Sequence, residues 1–152
     1  MTDSSVTIRM LQDNESDLRQ VVEIENLSFN KDDAYTREDF SRWLRYNPEF
    51  CLVAEIDGRI AGDMICRILR YKLDLASCAI HPGYRRFGIG SLLLKEMETL
   101  AGKFGVRKID LQVRKTNSSG LAFWQKMGFE ESGNLPGFYP DGEDGLQMSK
   151  KI

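Results

Sequence analysis

Apolar residues alternate with polar ones along short stretches of the chain and recur every three or four residues along others, which predicts both strands and helices. The predicted strands are 6–10, 50–56, 59–69, 73–80, 108–114, a strand that starts at 128, and 146–150. The predicted helices follow capping residues or glycines, at 14–27, 36–47, 91–104 and 117–127. Asp57-Gly58 is a predicted hairpin turn, and 132–145 is a predicted Gly/Pro-rich turn. The order β-α-α-β-β-β-α-β-α-β-β predicts a mixed α/β sheet covered by helices.

The stretch from 73 to 100 combines a strand (LDLASCAI), a basic turn (HPGYRRFGIG) and an amphipathic helix (SLLLKEMETL). Its predicted apolar stripe is Leu93, Met97, Leu100 and Phe104. The first N–H groups of a helix have no partner within the helix and favour anions. Arg85 and Arg86 add forked donors, and the missing Cβ atoms of Gly88 and Gly90 allow a close approach. We therefore predict a diphosphate site over 85–91, the alternative being an ordinary turn with surface arginines.

This turn resembles the Q/R-x-x-G-x-G/A motif of the GNAT superfamily of acyl-CoA N-acyltransferases, which wraps the pyrophosphate of acetyl-CoA. The resemblance implies that the diphosphate is held by Arg85, Arg86, Phe87, Gly88, Ile89, Gly90 and Ser91. It also implies that the main chain of Cys78, Ala79 and Ile80 binds the pantetheine arm. The element order is that of the GNAT fold, which is a mixed, mostly antiparallel sheet with splayed central strands flanked by helices. We expect residues 1–152 to form one such domain.

A second resemblance covers 117–129, which is similar to the family motif N-x-x-A-x-x-x-Y-x-x-x-G-F. It implies that Asn117 binds the CoA arm. Trp124 stands where the family has its tyrosine acid, and an indole N–H can donate a hydrogen bond but not protonate a thiolate. We therefore expect Trp124 to be a packing residue beside CoA. Gln112 replaces the glutamate base of the RimI-type LEVR run, so it is expected to hold a water or a peptide carbonyl instead.

Asp74 is the predicted replacement base, because it matches the catalytic glutamate of the histone-acetyltransferase branch. A carboxylate inside an apolar strand also needs a partner or a task, so the alternative is an exposed edge position or a salt bridge with Arg70 or Lys72. Asp63 in the neighbouring strand is a weaker candidate on the same grounds.

The run 137–144 (GFYPDGED) resembles the YYPDGEDA run of RimI-type and archaeal N-terminal acetyltransferases. This implies that Tyr139 contacts the acceptor peptide, and Tyr139 is also the predicted stand-in proton donor. The alternative is a turn explained by its Pro, Gly and Asp content. The segment 29–35 corresponds to the family's substrate loop, where Tyr35, Asp32 and Asp33 are expected to shape specificity.

The composition excludes several other classes. A net charge of −2 over 152 residues gives no case for nucleic acid or an anionic membrane as partner. The three cysteines fit no metal spacing and are expected to be reduced thiols. No apolar run approaches the roughly 20 residues of a membrane span, and the N-terminus lacks a signal-peptide core. We expect a metal-free cytoplasmic protein, either a monomer or a homodimer.

These expectations predict an acetyl-CoA-dependent N-acetyltransferase that modifies the α-amine of a protein N-terminus. At pH 7.5 freeing a lysine amine costs roughly 4 kcal/mol and freeing an α-amine well under about 1 kcal/mol, so a weak base suits the α-amine. The alternatives are an acetyltransferase for a small amine, such as a polyamine, amino acid or antibiotic, and a CoA-binding module with little turnover.

Overall fold

The computed structural model of the protein describes residues 5–152, except for the side chain of Arg86, whose predicted contact with the diphosphate lies outside the described residues. The strands are β1 Thr7–Met10, β2 Cys51–Ile56, β3 Arg59–Leu69, β4 Lys72–Ile80, β5 Lys108–Arg114, β6 Glu130–Leu135 and β7 Gly145–Lys151. The helices are α1 Glu15–Ser28, α2 Arg37–Tyr46, α3 Ile89–Lys103 and α4 Ser118–Lys126, with short 3-10 helices at Pro48–Phe50 and Pro82–Phe87.

The seven strands form one sheet in the order β1-β2-β3-β4-β5-β7-β6, and every neighbouring pair is antiparallel except β4 and β5. The parallel pair is hydrogen-bonded only from Lys72 to Leu75 on β4 and from Lys108 to Leu111 on β5. Beyond these residues the two strands separate. The predicted mixed sheet with splayed central strands is confirmed, and the separation opens a gap in the middle of the sheet.

Helices cover both faces of the sheet, and each face has its own apolar core. Leu52 and Ala54 of β2 pack into the core beneath α3, whereas Cys51 and Val53 pack into the core beneath α1 and α2. This alternation follows from the period of two along a strand. None of the helices described within residues 5–152 is long and apolar enough to cross a membrane.

The buried stripe of α3 differs from the prediction at its C-terminal end. Leu93, Met97 and Ala101 are fully buried, Leu100 is half-buried, and Phe104 follows the helix with half of its surface exposed. Leu93, Met97 and Ala101 are four residues apart, so their side chains stay on the helix face that packs on the sheet. Leu100 comes three residues after Met97 and lies at the edge of that face. Gly105 ends the helix at φ +73°, as predicted.

Two connections also differ from their predicted form. The strand β6 runs to Leu135, so the turn predicted from Ser132 starts at Pro136, four residues later. Its residues are mostly exposed because β6 is an edge strand, so its pairing with β7 leaves no apolar alternation in the sequence. The basic turn between β4 and α3 forms the 3-10 helix at Pro82–Phe87 rather than a plain turn.

Candidate active site

A cavity of about 800 Å³ occupies the gap between β4 and β5. Its walls are 75–80 of β4 and 111–114 of β5, and it is closed at one end by the start of α3 and α4 and at the other by the 29–35 segment and the 138–140 loop. A volume of this size is within the range of small-molecule sites. The two ends differ in chemistry.

The first end is built to hold an anion. Gly88 adopts φ +65° and has no side chain to cap α3, so the N–H groups at the start of that helix are open to a ligand. The cavity wall here includes Arg85, Gly88, Ile89, Gly90 and Ser91, five of the residues predicted for the diphosphate. Phe87 is not part of this wall, because its ring lies beside that of Tyr84 at 5.9 Å and is half exposed.

The missing Cβ of Gly90 was predicted to let a ligand approach, but in the structure it makes room for a neighbouring helix. A Cβ atom at this position would lie 2.9 Å from Cζ of Phe123 in α4, so the glycine allows the two helices to meet. The start of α4 also faces the cavity, where the side-chain Oδ1 of Asn117 accepts a hydrogen bond from the N–H of Gly120 at 3.0 Å. The N-terminal ends of two helices therefore point at the same end of the cavity.

The middle of the cavity contains the predicted pantetheine strand, since Cys78, Ala79 and Ile80 all line it. Trp124 also lines it, and its ring packs edge-on against Phe123 at 4.8 Å and against Phe129 at 5.3 Å. This placement agrees with a packing residue at the cavity wall.

Asp74, the predicted base, is buried but is not among the cavity-lining residues. It is ion-paired with Arg67, directly opposite on β3, and accepts a hydrogen bond from Nε2 of Gln112 at 3.1 Å. The alternative partners named from the sequence were wrong, because the cross-strand neighbour is Arg67 and Lys72 instead bonds Asp110 at 2.9 Å. Arg67 and Gln112 do line the cavity, so Asp74 is connected to the cavity wall through these two partners.

The second end of the cavity is organised by Arg114. Its Nε and Nη2 donate to the two carboxylate oxygens of Asp33 at 2.7 and 2.8 Å, and its Nη1 donates to Asp141 at 2.9 Å. The guanidinium lies 4.2 Å from the ring centroid of Tyr139. Hydrogen bonding to Asp33 raises the pKa of Arg114 above its usual range. One arginine thus joins the segment before α2 to the loop between β6 and β7.

Tyr35, Gln112 and Tyr139, the predicted acceptor contacts, all line this end of the cavity. Burial and the nearby Asp33 carboxylate raise the pKa of Tyr139 to about 12. The aromatic side chains of Phe29 and Phe138 are also in the wall and remain 37% and 51% exposed. The mouth at this end is therefore apolar and aromatic, above a ring of hydrogen-bonding groups.

The sequence interpretation missed Glu25, which lies at the cavity wall on α1 and is fully buried. Its Oε1 accepts from the N–H of Tyr35 at 3.2 Å and its Oε2 from Oγ of Ser77 at 3.0 Å. Burial raises the pKa of Glu25 to about 7. Its spacing of four from Val21 and seven from Leu18 places it on the buried face of α1, which is the signal that could have identified it.

Comparisons with known proteins agree with this geometry. A sequence profile of the acetyltransferase (GNAT) family matches residues 18–129. An N-alpha-acetyltransferase from Sulfurisphaera tokodaii is 30% identical over 90% of this chain and 89% of its own. Among solved structures, Ard1 from Thermoplasma volcanium matches with a TM-score of 0.90 and 25% identity, covering 97% of both chains. The ribosomal-protein-S18-alanine N-acetyltransferase from Escherichia coli matches with a TM-score of 0.83 and 26% identity, covering 97% of this chain and 94% of that one.

Proposed function

Because the chain belongs to the acetyltransferase (GNAT) family, we propose that it transfers the acetyl group of acetyl-CoA to the α-amine of a protein N-terminus. The observation that carries the proposal is the two-ended cavity, in which the uncapped start of α3 and Arg85 face one end and Tyr35, Gln112 and Tyr139 face the other. The names of the relatives from Sulfurisphaera tokodaii and Escherichia coli support an α-amine as acceptor.

In the proposed reaction the free amine attacks the thioester carbonyl directly. The new C–N bond forms as the C–S bond breaks, and CoA leaves as a thiolate. We assign the diphosphate to Arg85 and the N–H groups at the start of α3, and the pantetheine arm to the edge of β4 that separates from β5. Those main-chain N–H and C=O groups of residues 78–80 that point away from β3 would face the arm as they would a neighbouring strand. Asn117 and Trp124 would border the same arm from α4.

Tyr139 is better suited to binding than to proton donation. A phenol of pKa about 12 remains protonated, but passing its proton to a thiolate of pKa about 8.5 is uphill by roughly 5 kcal/mol. We therefore propose that Tyr139 donates a hydrogen bond to the acceptor or the departing sulfur. The thiolate is a tolerable leaving group without a stronger acid.

The acidic residues of the 29–35 and 137–144 segments could attract a cationic polyamine, but three of them have partners in this structure. Asp33 and Asp141 are both ion-paired with Arg114, and Asp144 accepts a hydrogen bond from the N–H of Gly137. The loops therefore present less free negative charge than their composition indicates, which favours the peptide. We further propose a reducing, cytoplasmic compartment, because Cys51 and Cys66 are buried free thiols.

The experiment that tests the proposal measures thiol release from acetyl-CoA with three acceptors in parallel. These are a peptide with a free N-terminus, a peptide blocked at its N-terminus that contains one lysine, and spermidine. We expect kcat/KM for the free N-terminus to exceed that of the blocked peptide by at least about 100-fold, following the pKa difference between the amines. Turnover of spermidine alone, or no turnover of any amine despite CoA binding, would contradict the proposal.

A further inference from the structure

Three polar side chains from three elements meet behind the acceptor end of the cavity. Ser77 of β4 lines the cavity wall and donates its hydroxyl proton to Oε2 of Glu25 on α1. Asp63 of β3 lies beside both and is completely buried, and its carboxyl oxygens have no hydrogen bond of ordinary geometry within the part of the chain that the structure describes, although the Ser77 hydroxyl is close enough to lower the pKa of Asp63. A buried carboxylate without partners is costly, so this cluster needs an explanation.

The surroundings of the cluster determine which carboxyl group carries a proton. Burial and the neighbouring Glu25 raise the pKa of Asp63 well above its usual range, against the smaller opposite effect of the Ser77 hydroxyl, and so favour the neutral form of Asp63. Burial and the Asp39 carboxylate of α2 raise the pKa of Glu25 to about 7. The other titratable groups that face Glu25 are Tyr35 and the thiol of Cys78, and both are neutral acids in this range. Glu25 is therefore the group of this cluster that gains and loses a proton near neutral pH.

Resting on the proposed function, we propose that Ser77 and Glu25 form a proton relay that deprotonates the acceptor amine. Ser77 is the catalytic group in contact with the acceptor. Its oxygen takes a proton from the bound ammonium as its own O–H proton passes to Oε2 of Glu25. One N–H bond breaks, one O–H bond forms on Glu25, the hydroxyl of Ser77 is restored, and the amine keeps the electron pair with which it attacks the thioester.

Asp63 is a positioning residue in this relay. The Ser77 hydroxyl donates to Glu25 at 3.0 Å, and the raised pKa of Asp63 favours a neutral Asp63 that does not compete with Glu25 as the charged acceptor. The direction of that hydrogen bond leaves the lone pairs of the Ser77 oxygen available for the ammonium. The buried pair Glu25 and Asp63 shares one negative charge at most, as two adjacent buried carboxyl groups must.

The relay also fits one class of amine. An α-amine has a pKa of about 7.7–8.0, so the equilibrium constant for transfer of its proton to a group of pKa about 7 is unfavourable by roughly five- to tenfold. The same transfer from a lysine amine of pKa about 10.4 is more than about 1,000-fold uphill. The relay thus selects an N-terminal amine over a lysine side chain by chemistry as well as by shape.

The experiment compares pH profiles of kcat for an N-terminal peptide between pH 5.5 and 9, in wild type, Glu25→Gln, Ser77→Ala, Asp63→Asn and Asp74→Asn. Wild type is expected to lose activity below a pKa near 7. In Glu25→Gln the rate should fall about 100-fold or more, and its acid limb should move up to the pKa of the peptide's own amine. In Ser77→Ala the acidic limb of the kcat profile should move to higher pH in the same way. In Asp63→Asn and Asp74→Asn the apparent pKa of this limb should remain near 7.

Folding is followed separately through the melting temperature and the affinity for CoA, and Glu25→Gln keeps an amide oxygen for the N–H of Tyr35. If a folded Glu25→Gln protein keeps the acidic limb of the kcat profile near pH 7, the relay is wrong. The relay is also wrong if this limb disappears in Asp74→Asn instead. Turnover of the peptide by wild type tests the proposed function on its own, so the two failures are distinguishable.

Discussion

The contact between Gly90 and Phe123 gives the sharpest prediction about the diphosphate end. In Gly90→Ala the new Cβ would lie 2.9 Å from the ring, closer than a carbon contact allows, so the ring must move. Phe123 lines the cavity and packs edge-on against Trp124, so we expect the displaced ring to move into the cavity. Forcing an extra methyl into such a contact costs roughly 1–3 kcal/mol, against a gain of at most about 1 kcal/mol in helix propensity.

The matched control is Gly102→Ala, in the same helix but with no atom within 4 Å of the new Cβ. It should gain about 0.5–1 kcal/mol, which raises the melting temperature of a domain of this size by about 1–4 °C. We expect Gly90→Ala to melt below wild type and to bind CoA about tenfold more weakly, measured by scanning calorimetry and isothermal titration. A Gly90→Ala protein that binds CoA as wild type does would refute the placement of Phe123 at the diphosphate end.

Two further predictions concern other parts of the molecule. Replacing Arg114 by Ala should raise the KM for the acceptor peptide at least about tenfold and leave the Kd for CoA within twofold, because the lost ion pairs hold the acceptor loops. The control Arg37→Ala removes an exposed ion pair and should change neither constant. An unaltered peptide KM in Arg114→Ala would show that Arg114 does not organise the acceptor end. Burial raises the pKa of Asp110, but the hydrogen bond from Ser149 and the Lys72 ammonium outweigh it, so the folded-state pKa is lowered. The ionised carboxylate therefore stabilises the fold above the unfolded-state pKa of about 3.9. This stability is lost as the pH falls through the lower pKa of the folded state. Asp110→Asn should therefore flatten the fall in melting temperature between pH 5 and pH 2, and an equally steep fall would show that this carboxylate does not control acid stability.

The elements that sequence reasoning located correctly are those with strong local signals. The capping box at Thr36 to Asp39 opens α2, the Asp57-Gly58 pair with positive φ forms the hairpin turn, and Asn117 caps α4. Each of these signals involves residues within four positions of one another. The strand–turn–helix at the diphosphate end is local in the same sense, so most of its lining residues could be named in advance.

The acceptor end could not be predicted in the same way, because its contacts join distant parts of the chain. Asp33 and Arg114 are 81 residues apart, and Glu25 and Ser77 are 52 apart. The sequence identified Asp33 as a loop residue and Arg114 as one end of a strand, but not that they form a pair. The same limit applies to Asp74, whose partner Arg67 follows from the register between β3 and β4 and not from proximity in the chain.

A crystal structure of the protein with CoA bound would test the proposed binding mode of CoA most directly. The account predicts a diphosphate within hydrogen-bonding distance of the main-chain N–H groups at the start of α3, with the pantetheine arm between the separated ends of β4 and β5 and the thiol facing the Arg114 end of the cavity. A CoA molecule found outside this cavity, or one with its diphosphate away from the start of α3, would contradict the account.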